Sequence, residues 1–342
     1  MDQSYMRRAE ELHRSRIVVD AHFDLLMEVL AKREAGRRNV MEDDILPAMR
    51  EAGLDLVVSS IFIEDQFLPE MALRRALDQI AAFHQELDEC GHLVSLCRSW
   101  GDVERARAQG KLAVILSFEG VEPLGNDLRL LRVFYELGVR GIGLVWSRRN
   151  FAGDGCFFVP RREGQKGGLT DFGVALLDEA RDLNMFIDVS HLNDEGFWDV
   201  TRFWDGPFVA SHSNCRALAG SMRNLTDDQI MALADHGGVM GMNCCSSFVV
   251  DQGFGVASPA RLADHVDHIR DLVGLEHVGF GFDFCDWIRQ SRGDTSTTCD
   301  CVPGYGGAVA FTAELLFRGY ADEQAAAIIG GNWARVYGAL LP

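Results

Sequence analysis

The chain is predicted to fold as a (β/α)8 barrel, a closed ring of parallel strands wrapped by helices, and three observations carry that expectation. Eight continuous apolar runs, rich in Val, Ile and Phe, are spread over all 342 residues, as parallel strands covered on both faces require. Helical patterns separate them, and no Pro- or Ser-rich linker divides the chain. Acidic and histidine residues stand where five of the runs stop, and only a closed ring brings those ends to one place. An open doubly wound sheet, the rival architecture, would gather its site at one crevice near a strand-order reversal.

In chain order the strand candidates are 17–21, 54–63, 112–118, 141–146, 185–189, 208–211, 238–243 and 277–281. The helical patterns between and after them are 45–52, 73–87, 127–137, 172–183, 194–203, 227–234, 259–273, 307–318 and 322–340. Asp227 and Asp228 fall where a helix N-terminus favours negative charge. Residues 1–16 are charged and helical in pattern, an N-terminal extension to one domain expected to run over 1–342.

Composition narrows the partners. An apolar fraction of 47% is ample for a large core and excludes a disordered chain. Fifty-one acidic residues against 33 basic ones give a net charge of −18, which repels a phosphate backbone, so nucleic acid is not an expected partner. The start lacks the apolar stretch of a signal peptide, and no run approaches the ~20 apolar residues of a membrane span. A cytoplasmic protein without membrane contact is the expectation. Nine cysteines, an odd number without a Cys-x-x-Cys pair, argue against a zinc knuckle or a disulfide framework. Cys299 and Cys301 read as a chance pair in a loop.

Most of the ten histidines have plain explanations. His13, His84 and His92 lie in or beside polar helical stretches and are expected to be solvated. His265 and His268 share an amphipathic helix, and His236 and His277 stand at strand entrances. His22, His191 and His212 differ, because each closes an apolar run, with Asp24, Glu119 and Asp283 at matching places. In an extended strand residues i and i+2 point the same way, so His22 and Asp24 can grip one ion together. Burying so many ionisable groups is costly unless cations compensate them.

Imidazole and carboxylate without thiolate suit Zn²⁺, and Mn²⁺ or Fe²⁺ less exclusively. Five ligands exceed the needs of one catalytic ion with an open position; they suit two ions ~3.5–4 Å apart sharing a carboxylate. The natural division puts His22, Asp24 and Glu119 on one ion and Glu119, His191 and His212 on the other. Glu122 rivals Glu119 but lies beyond Gly120 in the loop. Two such ions hold a bridging hydroxide while one polarises a carbonyl, and Asp283 is placed to move the water's proton to a leaving amine.

Eight ordered segments resemble the membrane (renal) dipeptidase family, the M19 metallopeptidases, from about Ile17 to the end. They are Val-Asp-Ala-His-Phe-Asp-Leu (19–25), Ser-Phe-Glu-Gly (117–120), Ile-Asp-Val-Ser-His (187–191), Ala-Ser-His-Ser-Asn (210–214), Met-Arg-Asn-Leu-Thr-Asp-Asp (222–228), Leu-Ala-Asp-His-Val-Asp-His-Ile (262–269), Gly-Phe-Gly-Phe-Asp-Phe (279–284) and Gly-Gly-Asn-Trp-Ala-Arg-Val (330–336). The resemblance implies a dizinc (β/α)8 hydrolase that cleaves dipeptides, many members accepting or preferring a D-residue at the C-terminal position. It implies zinc ligation by His22, Asp24, Glu119, His191 and His212, proton transfer by Asp283, and a homodimer. It also implies that Arg223 holds the substrate's free carboxylate, a role suited to a guanidinium fork.

The chain departs from the family pattern in two places. Members usually carry Leu-Thr-His after the fourth strand, where this chain has Leu144-Val145-Trp146, and indole cannot carry an imidazolium's charge. Their Asp-Phe-Asp-Gly is here Asp283-Phe284-Cys285-Asp286. After Trp146 come Arg148, Arg149, Arg161, Arg162 and Lys166, a basic cluster expected to contact an anionic group of the substrate. Two other functions fit the same residues: a related hydrolase of N-acyl amino acids or other carboxylate-bearing amides, and a binding protein that has lost catalysis.

Overall fold

The computed structural model describes residues 3–158, 164–251, 253–291, 293 and 297–341. Its strands are β1 (Val19–Phe23), β2 (Leu56–Phe62), β3 (Val94–Leu96), β4 (Leu112–Glu119), β5 (Val139–Gly143), β6 (Phe186–Asp188), β7 (Met240–Met242) and β8 (Val278–Phe280). All pair in parallel, in the order β1-β2-β4-β5-β6 and, separately, β7-β8. The expected strand at 208–211 joins the two sets, but only through isolated bridges of Val209 with Asp188 and of Ala210 with Met240. Its ladder stops because the Ser211 amide donates to the Asp188 carboxylate (3.0 Å) in place of a strand carbonyl. Strand β3, which is three residues long and has no counterpart among the expected runs, pairs with the first half of β4, while β5 pairs with the second half.

Closure of the ring runs through Asp20 of β1. Its carboxylate accepts the Phe282 amide (3.0 Å) and the Tyr305 hydroxyl (2.8 Å), tying the first strand to the segment after β8. Burial pushes the Asp20 carboxyl up to about 7. The resulting (β/α)8 barrel sends the C-terminal ends of its strands to one face, where βα loops can combine side chains from distant sequence.

The helices follow the amphipathic pattern closely. Pro259–Val273 starts after the Ser258 cap, and Asp227–Asp235 starts with a capping box formed by Thr226 and Gln229. The helix expected over 322–340 widens to a π turn at Ala327–Gly331. A side chain at Gly330 would meet the Ile17 carbonyl, so this glycine lets the helix lie against the entry to β1. The first helix, Gln3–Ser15, packs on Ala308–Phe317 and corrects one expectation: His13 is buried, not solvated. Its ring nitrogens pair with the Ala52 carbonyl (2.6 Å) and the Thr312 hydroxyl (2.7 Å), and burial lowers its pKa. His84 and His92 are exposed, as expected. Among the described residues, no helix is long and apolar enough to cross a membrane.

Candidate metal centre and substrate cavity

The strand ends deliver the predicted residues to one cluster. His22 lies in β1, Asp24 follows it, and Glu119 is the last residue of β4. His191 and Asp283 each stand three residues beyond a strand, with φ of 72° and 55°. Both occupy the left-handed region that side chains rarely adopt, strain that tends to be kept where geometry serves a site. His212 follows the 208–211 segment. A side chain at Gly241 or Gly281 would collide with the Ser211 carbonyl, so these two glycines let that segment settle against β7 and β8.

Glu119 is the centre of the cluster. Its Oε1 lies 2.9 Å from His191 Nε2 and 3.5 Å from His212 Nε2, while its Oε2 lies 3.7 Å from His22 Nε2. Ligand atoms of His22, Asp24 and Glu119 lie within 4.8 Å of one another, as do those of Glu119, His191 and His212. These are the two triads expected from the sequence. Asp283 Oδ1 is 3.8 Å from His22 Nε2.

Serine hydroxyls, which no motif spacing announces, stand behind three of these donors. Ser60 of β2 donates to Asp24, and Ser147 pairs with His191 Nδ1 at 2.8 Å. Ser211 Oγ donates to Asp188 and sits 2.7 Å from His212 Nδ1. It therefore accepts the Nδ1 proton, which leaves the lone pair of His212 Nε2 facing the cluster. Such partners fix the orientation and tautomer of a metal ligand. Asn243, also unanticipated, donates to Asp283 Oδ2 at 2.9 Å and is held in turn by Asn214. The available signal was modest: Ser211 and Asp188 lie inside motifs that ended on a histidine.

The donor set fits metal ions. His22 is 4% exposed and its Nε2 has no hydrogen-bond partner, an arrangement that is costly unless an electron-pair acceptor occupies that side. Burial holds the His22 pKa down to about 3 and those of His191 and His212 well below their usual value, so all three rings offer lone pairs. Burial, with the charge of Asp24, pushes Glu119 well up and Asp283 to about 7, as expected of carboxylates crowded together without a cation.

Arg223 is 2% exposed. It donates to the Ser213 hydroxyl (2.8 Å) and the His212 carbonyl (2.7 Å), while its Nε has no partner. Among the described residues no carboxylate lies within ion-pair distance of it; its charge acts on Glu119 and Asp283 from farther off, and the Phe248 ring lies 5.9 Å away.

Above the cluster opens a cavity of about 1320 Å³ reached by Asp24, Glu119, His191 and Asp283 and walled by Phe62, Trp146, Phe158 and Phe248. Trp146 thus lines the mouth. Cys285 lines it too, its thiol 3.4 Å from Asp283 Oδ1. Of the five basic residues after Trp146, three are described: Arg148, Arg149 and Lys166. Arg148 donates to Glu122 (2.5 Å), Asp65 (2.8 Å) and the Ile63 carbonyl (2.8 Å), so all its branches are engaged within the chain. Arg149 pairs with Asp154 and the Gln165 carbonyl. Lys166 is exposed, and Arg161 and Arg162 lie outside the described residues.

The membrane dipeptidase (peptidase family M19) model matches residues 6–340. Human dipeptidase 3 is 30% identical over 96% of this chain, which spans 66% of that protein's length. The crystal structure of dipeptidase AC, an M19 metallopeptidase, superposes with a TM-score of 0.82 at 31% identity, covering 95% of this chain and 99% of that one. A Rhodobacter sphaeroides metallopeptidase, solved with a phosphinate mimic of the dipeptide L-Ala-D-Ala, gives a TM-score of 0.82 at 29% identity, covering 94% and 99%.

Proposed function

Since the chain belongs to the membrane dipeptidase family, peptidase family M19, we propose that it is a dizinc dipeptidase, cleaving the amide bond of short substrates with a free carboxylate. The observation that carries the reading is Glu119, whose two oxygens face two separate donor groups, His22 with Asp24 and His191 with His212. When bound, two Zn²⁺ ions would supply Lewis acidity toward the scissile carbonyl and lower the pKa of the attacking water.

The chain's own residues do the rest. Arg223 presents a buried guanidinium lacking a carboxylate partner, and the substrate's terminal carboxylate would complete it. That requirement limits substrates to short ones. Asn243 holds Oδ2 of Asp283, which leaves Oδ1 on the side of His22 to accept a proton and return it to the leaving amine. The dipeptide mimic in the Rhodobacter relative supports an L-D dipeptide as one substrate. Homodimerisation and a cytoplasmic location belong to the same proposal; light scattering on the purified chain tests the first and cell fractionation the second.

The test is a panel of dipeptides with L and D C-terminal residues, set against N-acyl amino acids, with the metal content measured. The expected result is about two ions per chain, dipeptide turnover, and a loss of roughly 10²–10⁴-fold in Asp283→Asn with metal retained. Cleavage of N-acyl amino acids alone would favour the related amide hydrolase. Full metal occupancy without turnover of either series would mean a binding protein.

A further inference from the structure

The rings around the cavity form a continuous arc that starts at the carboxylate-binding position. From Arg223 the Phe248 ring is 5.9 Å away; Phe158 lies 5.7 Å from Phe248, Trp146 5.4 Å from Phe158, and Phe62 5.2 Å from Trp146. Midway, Trp146 lies 5.8 Å from the candidate ligand His191, with the ring planes 34° apart. A substrate anchored at Arg223 and bent over Glu119 thus meets Phe248 and Phe158 first, on its C-terminal residue. Trp146 and Phe62 come next, beside its amino-terminal residue.

Size and rigidity support a bulky occupant. The open cleft of about 1320 Å³ has room for a large side chain beside the Phe62, Trp146, Phe158 and Phe248 rings. Arg148 fixes the wall from behind. Its guanidinium lies 5.1 Å from the Trp146 ring and 5.2 Å from Phe62 while bonded to Glu122, Asp65 and the Ile63 carbonyl. The indole is therefore a held surface, suited to stacking against another ring.

We propose that Trp146 is a specificity-determining residue of this enzyme, and that its substrates are dipeptides whose amino-terminal residue carries a large apolar or aromatic side chain. The inference rests on the dipeptidase reading and deepens it.

The experiment measures kcat and KM for an Xaa-Ala series (Xaa = Ala, Leu, Phe, Trp) and an Ala-Xaa series, using the full metal-loaded chain. For the wild type, kcat/KM for Phe-Ala should exceed that for Ala-Ala by roughly tenfold or more. In Trp146→Ala that ratio should fall toward one, mainly through KM, while the ratios within the Ala-Xaa series persist. Trp146→Phe should keep most of the preference, and equal metal content in both variants would exclude a collapsed site. A wild-type ratio near one, or a ratio surviving in Trp146→Ala, overturns the inference and leaves the dipeptidase reading standing. If no dipeptide turns over, the two fall together.

Discussion

The imidazoles of His22 and His212 stack with their centroids 3.6 Å apart and their planes 22° from parallel, although 190 residues of chain separate them. Two charged rings would repel at this distance, and burial favours the neutral form of both. Each ring therefore shapes its neighbour's position as well as serving its own triad. His22→Ala and His212→Ala should each lower bound metal, and the double variant should lose less than the sum of the two. Titration of the apo-proteins with Zn²⁺ measures this, and strict additivity would show that the rings act separately.

The serine hydroxyls behind the candidate ligands make a second expectation. Ser211→Ala removes the acceptor that fixes the His212 tautomer and takes the hydroxyl donor from Asp188 Oδ2. Ser147→Ala releases His191 Nδ1. Loss of such partners typically costs about 10–100-fold in metal affinity. Competition with a chromophoric chelator reads the affinity directly, and unchanged values would assign these hydroxyls to packing alone.

Arg223 should discriminate by substrate charge. Carboxylates replaced by carboxamides should be poor substrates for the wild type, by about 10–100-fold in kcat/KM, the worth of a charge-assisted bond. In Arg223→Ala the two substrate forms should become nearly equal, and Arg223→Lys should recover little because it lacks the planar fork. A variant that still prefers the carboxylate would place the clamp elsewhere.

Arg148→Ala should act on stability and not on charge preference. The change strands Glu122, a side chain 9% exposed that pairs with Arg148, and loosens the backing of Trp146. The expected outcome is a melting temperature lower by several degrees, with acidic and neutral substrates affected alike. A selective loss for acidic substrates would restore this arginine to the anion-contacting role expected from the sequence.

A pH effect follows from His265. Its Nδ1 accepts the Cys215 amide (3.1 Å) and its Nε2 donates to the Val249 carbonyl (3.0 Å), so protonation would break the first bond inside the core. Burial lowers its pKa to about 4 in the fold, below the 6.5 of the free side chain. The contribution is present above pH ~6.5 and is lost as pH falls toward 4, up to about 3 kcal/mol in all. Urea unfolding of chelator-treated wild type and His265→Gln across this range should show the steeper decline in the wild type. Parallel profiles would refute the assignment.

The periodicity and the strand-end rule made the barrel and the clustering of its candidate ligands legible, because both depend on local pattern. His22-Phe-Asp24 needed only the alternation of a strand. What escaped depends on partners far along the chain. Nothing in the first helix announces that His13 meets Thr312, and nothing in Val94–Leu96, three residues long, marks it as a strand. The 208–211 run has a strand's composition, but Asp188 diverts its amide from the ladder. Ser60, Ser147 and Asn243 act through single hydrogen bonds, which no spacing encodes. Arg148 was visible as a charge, and only its three acceptors explain what that charge does.

The closure through Asp20 also sets a timetable for making the site. The carboxylate is synthesised near the start of the chain, but the groups it must bind, the Phe282 amide and the Tyr305 hydroxyl, come some 260 and 285 residues later. At typical rates of about 5–20 residues per second, the ribosome needs many seconds to supply them. Until then β1, the strand that carries His22, lacks the segment that closes the ring against it. The five candidate ligands are all made once the chain has reached His212, so what its last third adds is the clasp that closes the ring around them.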